Sequence, residues 1–411
     1  MFLGGAAATA MTAILAACGS SAATDTPKPA PTTAPAAAAT TAPAVATTAP
    51  AATPAPTTAP TAVAPTASAT LAPAATSAPA ASTPASAASA ASATTGTAAA
   101  GSAVAATDLK EATAVGTAVG VTPPNLTGKL SFKTLNFAFI PADDAAKTFN
   151  DNKELLAYLK QALGIEIKGT VGTSYSAVIE AQRAKKVELG YYGPFSYILA
   201  HQVANVQCFL QGQKADGTIA SYNSLIITTA DSPINTLADI KGKTFSFVDP
   251  ASTSGHLVPA YTLLSKANLT DQKDYKSNYA GSHPASYQAV INKKVDAGAI
   301  ASDLFGQGVA QGSIDKSKVK IVDTSFDIVG SPVGIRADIS AADSDVLLQA
   351  FLALNDQKST NLYKSFVLSA PDGKDGFGLG AVKLVKGDDH AYDDLRKIPA
   401  ALGLDLGKLG S

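Results

Sequence analysis

Val248-Asp249-Pro250-Ala251-Ser252-Thr253-Ser254-Gly255-His256 is the stretch on which the fold turns. The five residues Thr244 to Val248 alternate polar and apolar and read as a strand. Pro250 has no N–H for a sheet ladder, so the strand stops there. Three consecutive hydroxyl residues then open an apolar-periodic run, and the spacing predicts a helix over 253–267. A strand, a tight turn and a helix in this order make half of a βαβ unit.

The same unit recurs on both sides. Upstream, 130–140 reads as a strand. A helix follows over 144–163, with Leu155, Leu156, Leu159 and Leu163 on one face and Gly164 as its terminating glycine. Strands at 165–167 and 187–192 alternate with helices at 175–186 and 195–204. Downstream, strands at 275–280, 295–300 and 319–322 alternate with a helix at 284–294, and 333–336 begins a return. Such alternation predicts an α/β fold of parallel sheets with helices on both faces. The span 128–411 is more than one core fills, so two Rossmann-like lobes are expected. Residues 128–225 with 330–411 would form lobe 1 and 226–329 lobe 2, joined by two hinge crossings. Ligands of such sheets sit beyond the strand C-termini, at helix N-termini.

Composition separates this body from what precedes it. The chain has 411 residues, with 31 basic and 32 acidic side chains. That balance offers no basic stripe for nucleic acid. No charged residue occurs from Pro29 to Thr107, a stretch built almost wholly of Ala, Thr, Pro and Ser. Without large apolar side chains it cannot offset the entropy of ordering, so 19–127 is expected as a disordered stalk. The apolar run Phe2 to Ala17 is too short to span a bilayer. It ends in Leu15-Ala16-Ala17-Cys18, which resembles a bacterial lipobox. Residues 1–18 are therefore expected as a lipoprotein signal, with Cys18 carrying lipid and the membrane reached through that anchor only. Cys208, the other cysteine, lies in an apolar strand pattern and reads as a small core residue. No metal-ligand spacing and no cofactor motif is present.

Three strand-to-helix turns carry polar chemistry. At the first, Ser252, Thr253 and Ser254 would stand beside the free N–H groups of a helix start, a site able to hold an oxyanion without Lys or Arg. Ordinary N-capping by one hydroxyl is the other reading. The turn is neither a phosphate-binding Walker loop nor a nucleophile elbow, because the required glycines are missing. At the second, His283 opens a helix and could donate to an anion, or simply cap and pack. At the third, Asp303 could cap its helix or accept from a ligand.

These segments, taken in order, resemble the substrate-binding proteins of phosphonate, phosphite and phosphate ABC importers. The resemblance is carried by Gly172-Thr173-Ser174-Tyr175, Tyr192-Gly193-Pro194-Phe195, Ser221-Tyr222-Asn223-Ser224, Asp249 to Gly255, Ala280-Gly281-Ser282-His283 and Ser302-Asp303. It implies a type II periplasmic-binding-protein fold. It also implies that Ser252, Thr253, Ser254 and His283 grip the oxyanion, that Tyr175 and Tyr222 lie near the cleft and cover it, and that Asp303 can meet the amine of an aminoalkyl phosphonate. Where several members have a second Asp before a proline, this chain has Ser331 before Pro332. The loss of that charge favours phosphite, methylphosphonate or phosphate over an amine-bearing ligand. The implied function is capture of a phosphorus oxyanion by a monomer and its delivery to a permease and ATPase complex, with no enzymatic step. A sensor or adhesion-linked domain of the same fold, recognising another small anion, is the alternative.

Overall fold

The structure, a computed structural model, describes residues 109–112, 120–367 and 380–409. The expected signal segment, Cys18 and the stalk as far as residue 108 lie outside the described residues. In chain order the first elements are β1 (Leu109–Ala112), β2 (Thr134–Phe139), α1 (Ala145–Leu163), β3 (Glu166–Gly172), α2 (Tyr175–Arg183), β4 (Leu189–Tyr191), α3 (Pro194–Ala204) and β5 (Val206–Gln213). A short strand β6 (Ser221–Tyr222) leads to β7 (Ser224–Thr229), β8 (Thr244–Phe247), α4 (Val258–Ala267), β9 (Lys276–Tyr279), α5 (His283–Ile291), β10 (Ala297–Ala301), α6 (Ser302–Gln311) and β11 (Val319–Thr324). The chain returns through β12 (Ile328–Val329), β13 (Val333–Arg336), α7 (Ala341–Leu352), β14 (Lys383–Lys386), α8 (Ile398–Ala401) and α9 (Leu406–Leu409).

Two sheets organise these elements. One has seven strands in the order β1-β3-β2-β4-β13-β5-β14, the other five in the order β11-β7-β10-β8-β9. The expectation of parallel sheets needs correction, because both are mixed. Strands linked by helices are parallel, as β3–β2–β4 and β10–β8–β9 are. Strands that enter from the other sheet are antiparallel to their neighbours: β13 against β4 and β5, and β7 against β10 and β11. A helical crossover forces parallel pairing, and a strand arriving across the hinge is free of that constraint. The two crossings lie side by side as a ribbon, with Ile328 opposite Tyr222 and Val329 opposite Ser221.

Each sheet has a core on both faces. Leu155, Leu156 and Leu159 of α1 pack with Phe137, Phe351 and Leu347 on one face of the larger sheet. Tyr175, Phe195, Tyr197 and Tyr392 fill its other face. Phe245, Phe247 and Tyr275 lie on one side of the smaller sheet, and Leu225, Tyr287 and Phe305 on the other. Fully burying one such side chain contributes about 1.5–3 kcal/mol, so these clusters hold each sheet to the helices on its faces.

Residues 120–127, expected as stalk, belong to this body. Val121 and Leu126 pack on the α1 face, and the Thr127 N–H donates to Gln349 Oε1 at 2.8 Å. β1 pairs antiparallel with β3, still further upstream. Cys208 is half-buried on β5, and burial raises its thiol to about 12.

Candidate functional site

The turn after β8 differs from the expected single helix. Residues Thr253–Leu257 form one π-helical turn, and α4 begins only at Val258. Pro259 explains the break. It lacks the N–H that the Gly255 carbonyl would accept in an α-helix. That carbonyl instead accepts from Val248 N–H at 2.9 Å, and the Leu257 N–H reaches back to the Ser252 carbonyl at 3.0 Å. Gly255 is required by space, since a Cβ there would lie 2.4 Å from Val248. His256 supports the turn from behind. Its Nδ1 lies 2.8 Å from the Pro250 carbonyl, so Nδ1–H donates there, and Tyr279 Oη–H donates to Nε2 at 3.1 Å.

Two of the three hydroxyl oxygens of this turn are engaged as acceptors. Ser252 Oγ caps the helix by accepting from Gly255 N–H at 3.1 Å. Thr253 Oγ1 accepts from Phe195 N–H at 2.8 Å, across the cleft on α3. Capping uses these two oxygens as acceptors and leaves their protons for a phenol or a ligand, so the two roles do not exclude each other. Asp249 joins the same network. It accepts from Ala251 N–H at 2.8 Å and from Tyr175 N–H at 3.3 Å, and burial raises its carboxyl.

His283 is the first residue of α5, with Ser282 as the cap. Its Nδ1 accepts from Ala301 N–H at 3.1 Å, which places the proton of the neutral ring on Nε2. Complete burial lowers its pKa to about 3, so the imidazole is a neutral donor at physiological pH. Asp303 lies in the first turn of α6. Its carboxylate accepts from its own and the Leu304 N–H, while Oδ1 is buried without a partner. Burial raises this carboxyl to about 6.

Ser252, Thr253, Ser254, His283, Tyr175, Tyr222, Asp303 and Ser331 all line one cleft of about 570 Å³. Tyr175 meets the hydroxyl of Ser252, and Tyr222 meets those of Ser254 and Thr253. Burial pushes both phenols far above their ordinary range, so both remain donors. One lining tyrosine was not singled out from the sequence. Tyr191 ends β4, faces the cleft beside Ser331, and is raised to about 12 by burial. The adjacent Tyr192 points the opposite way, into the core, where its hydroxyl donates to Gln182 Oε1 at 2.6 Å. Strand alternation separates the two, and the sequence signal was the position of Tyr191 at a strand C-terminus.

The inner end of this cleft thus gathers neutral donors around one unpartnered carboxyl oxygen. Comparison with known proteins matches that chemistry. The family model described as ABC transporter, phosphonate, periplasmic substrate-binding protein covers residues 137–375. The phosphonates-binding periplasmic protein of Escherichia coli is 30% identical over 224 residues, which is 54% of this chain and 66% of that protein. The phosphate-import protein of Mycolicibacterium smegmatis is 28% identical over 219 residues, 51% of this chain and 68% of the relative. A crystal structure of a binding-protein component of an ABC phosphonate transporter from Pseudomonas aeruginosa aligns with a TM-score of 0.56 and 26% identity, over 66% of this chain and 86% of that one. The fold is that of type II periplasmic binding proteins. With more than half of its length matched, the chain belongs to the family of phosphonate ABC-transporter periplasmic substrate-binding proteins, which bind their ligands without enzymatic chemistry.

Proposed function

We propose that this chain is the solute-binding component of an ABC importer, and that it captures a phosphorus oxyanion and hands it to a membrane permease and its ATPase. The observation that carries the reading is the set of donors at the inner cleft: Ser252, Thr253, Ser254, the neutral His283 and the phenols of Tyr175 and Tyr222. Hydrogen bonds to a charged acceptor are the strong ones, and a closed, dry cleft strengthens them further. Tyrosines from the larger lobe and hydroxyls from the smaller one would hold the anion from both sides. The lobes are taken as 128–225 with 330–411, and 226–329.

Asp303 gives the site a reason to prefer phosphorus. A bare carboxylate repels an anion unless one proton is shared between them. A phosphorus oxyanion keeps a titratable proton near neutrality, as the second pKa of about 6 in phosphate monoesters illustrates. Sulfate and sulfonates have none to offer. Ser331 leaves the opposite wall uncharged, which supports phosphite, methylphosphonate or phosphate over an amine-bearing phosphonate.

The chain works outside the cytoplasmic membrane, as periplasmic binding proteins do. Lipidation of Cys18 would tether the monomer, with the Ala/Thr/Pro-rich segment as its stalk. Replacing Cys18 by Ser should release the protein from the membrane fraction, and retention there would overturn the anchor.

Titration calorimetry of the full chain with phosphite, methylphosphonate, aminoethylphosphonate, phosphate and sulfate tests the ligand class. Heat is expected with at least one phosphorus oxyanion and none with sulfate. No heat with any phosphorus oxyanion would end the proposal. Ser252→Ala and His283→Ala should each weaken binding by at least about 1.5 kcal/mol, the size of a hydrogen bond to a charged group. Uptake that survives deletion of the chain would favour a sensor over an importer.

A further inference from the structure

Asn223 joins three parts of the chain on which the cleft depends. It stands between β6 and β7, where the first crossing leaves the ribbon and enters the smaller sheet. Its side chain reaches the second crossing. The amide Nδ2 has two N–H donors, and they meet the Ser325 carbonyl at 3.1 Å and Asp327 Oδ1 at 3.0 Å. One residue further on, Ser325 N–H donates to the Ser224 carbonyl and Ser325 Oγ accepts from Ser224 N–H, each at 2.9 Å. The two crossings are thus pinned to each other at the point where ribbon becomes sheet.

The backbone of Asn223 is used as well. Its N–H donates to Ser302 Oγ at 2.9 Å, and its carbonyl accepts from Ser302 N–H at 2.9 Å. Ser302 is buried and is the first residue of α6, directly before Asp303. The first N–H groups of a helix have no partner within it, so this clasp supplies one and fixes where α6 begins. On the other side of Asn223 is Tyr222, whose phenol lines the cleft beside the charge of Asp303. Tyr222 and Asp303 therefore each stand one peptide from the same clasp. Asn223 itself is not among the residues that line the cleft.

We propose that Asn223 is a positioning residue: it sets where Tyr222 and Asp303 stand relative to each other by tying both hinge crossings to the start of α6. The inference rests on the oxyanion reading above. A displaced pivot is passed directly to both cleft residues, because a single rigid peptide separates each from it. Simple removal of the amide is a weak probe, since water can take its place at the exposed Asp327. Asn223→Asp is the sharper one. It keeps the shape, loses both donors, and sets a carboxylate against the Ser325 carbonyl and the Asp327 carboxylate.

Calorimetry of the full chain with methylphosphonate, phosphite and phosphate compares wild type with Asn223→Asp, Asp327→Asn and the double variant. Asn223 is half-buried and Asp327 exposed, so these variants fold, and thermal midpoints check it. Asn223→Asp should weaken each ligand that wild type binds by at least about tenfold, the worth of a hydrogen bond to a charged group. Asp327→Asn keeps an acceptor oxygen for the Asn223 amide and should stay within about threefold of wild type. In the double variant amide and carboxylate have exchanged places, the bond between the crossings is restored, and affinity should return to within about threefold of wild type. Hydrogen exchange at the Ser302 amide should quicken by at least about fivefold in Asn223→Asp and slow again in the double variant. Unchanged affinity in Asn223→Asp, affinity not regained in the folded double variant, or lost affinity with unchanged exchange at Ser302 would overturn the positioning role alone. No binding of any of the three ligands by wild type would overturn the oxyanion reading with it.

Discussion

At the scale of the residue, burial decides more than residue type. Asp303 was legible as an acid at a strand-to-helix turn, and its sequence neighbours allowed either capping or ligand contact. In the fold no side chain caps α6, whose N-cap is Ala301, and Asp303 Oδ1 remains buried and unpartnered. Its folded pKa of about 6 exceeds the unfolded value, so the native state holds this proton more tightly. Below about pH 4 both states are protonated and the group costs nothing. As pH rises from about 4 through 6, the unfolded chain has released this proton while the native state still holds it, and stability falls by up to about 3 kcal/mol. Urea unfolding of ligand-free wild type and Asp303→Asn across pH 4–7 should therefore show the variant gaining relative to wild type as pH rises. A difference that stays constant would mean that Asp303 does not titrate in this range. His283 shows the same principle with the opposite charge. Its sequence position allowed either donation to an anion or packing; in the fold complete burial holds the ring neutral, and the Ala301 N–H selects the Nε2 tautomer.

At the scale of the element, local chemistry marked the regular pieces. Helix α1 starts where Asp144 accepts from the N–H groups of Ala146 and Lys147, and it ends at Gly164 with φ of 65°. Both ends follow from single residues whose preferences are strong and local. The π-turn at Thr253–Leu257 was not legible in the same way. An apolar-periodic run starting at a hydroxyl residue predicts α-helix, and the deviation depends on where the Gly255 carbonyl finds its donor. That donor, Val248 N–H, belongs to the end of the preceding strand. The turn has no slack for a side chain at Gly255, since a Cβ would meet Val248 at 2.4 Å and Ser252 Oγ at 2.8 Å. Gly255→Ala should cost about 1–3 kcal/mol in stability by overpacking and should weaken oxyanion binding, because the Ser252 hydroxyl must move. Denaturant midpoints and calorimetry on the same preparation check both effects. An unchanged affinity would show that the turn does not set the donor geometry.

At the scale of the whole molecule, the site exists only because the two sheets face each other. Hydrogen bonds away from the two chain crossings also join the parts that carry the two sheets, among them Phe195 N–H to Thr253 Oγ1, Tyr175 N–H to Asp249, and His283 N–H to the Ala142 carbonyl at 3.0 Å. Each ends on or beside a residue that lines the cleft, so a ligand held there would stabilise the same contacts. Hydrogen exchange at the Phe195, Tyr175 and His283 amides should slow by at least about tenfold when a bound oxyanion is saturating. Equal exchange with and without ligand would separate binding from closure. The sequence alone determined the helix and strand units and the two-lobed α/β class, because periodicity, caps and turn residues act within a few positions of the chain. The tertiary structure alone decided the rest: the antiparallel return strands, the choice of Tyr191 over Tyr192 as a cleft residue, the neutral state of His283 and the orphaned oxygen of Asp303. Those depend on desolvation and on partners dozens of residues away, and neither is a property of any local stretch of sequence.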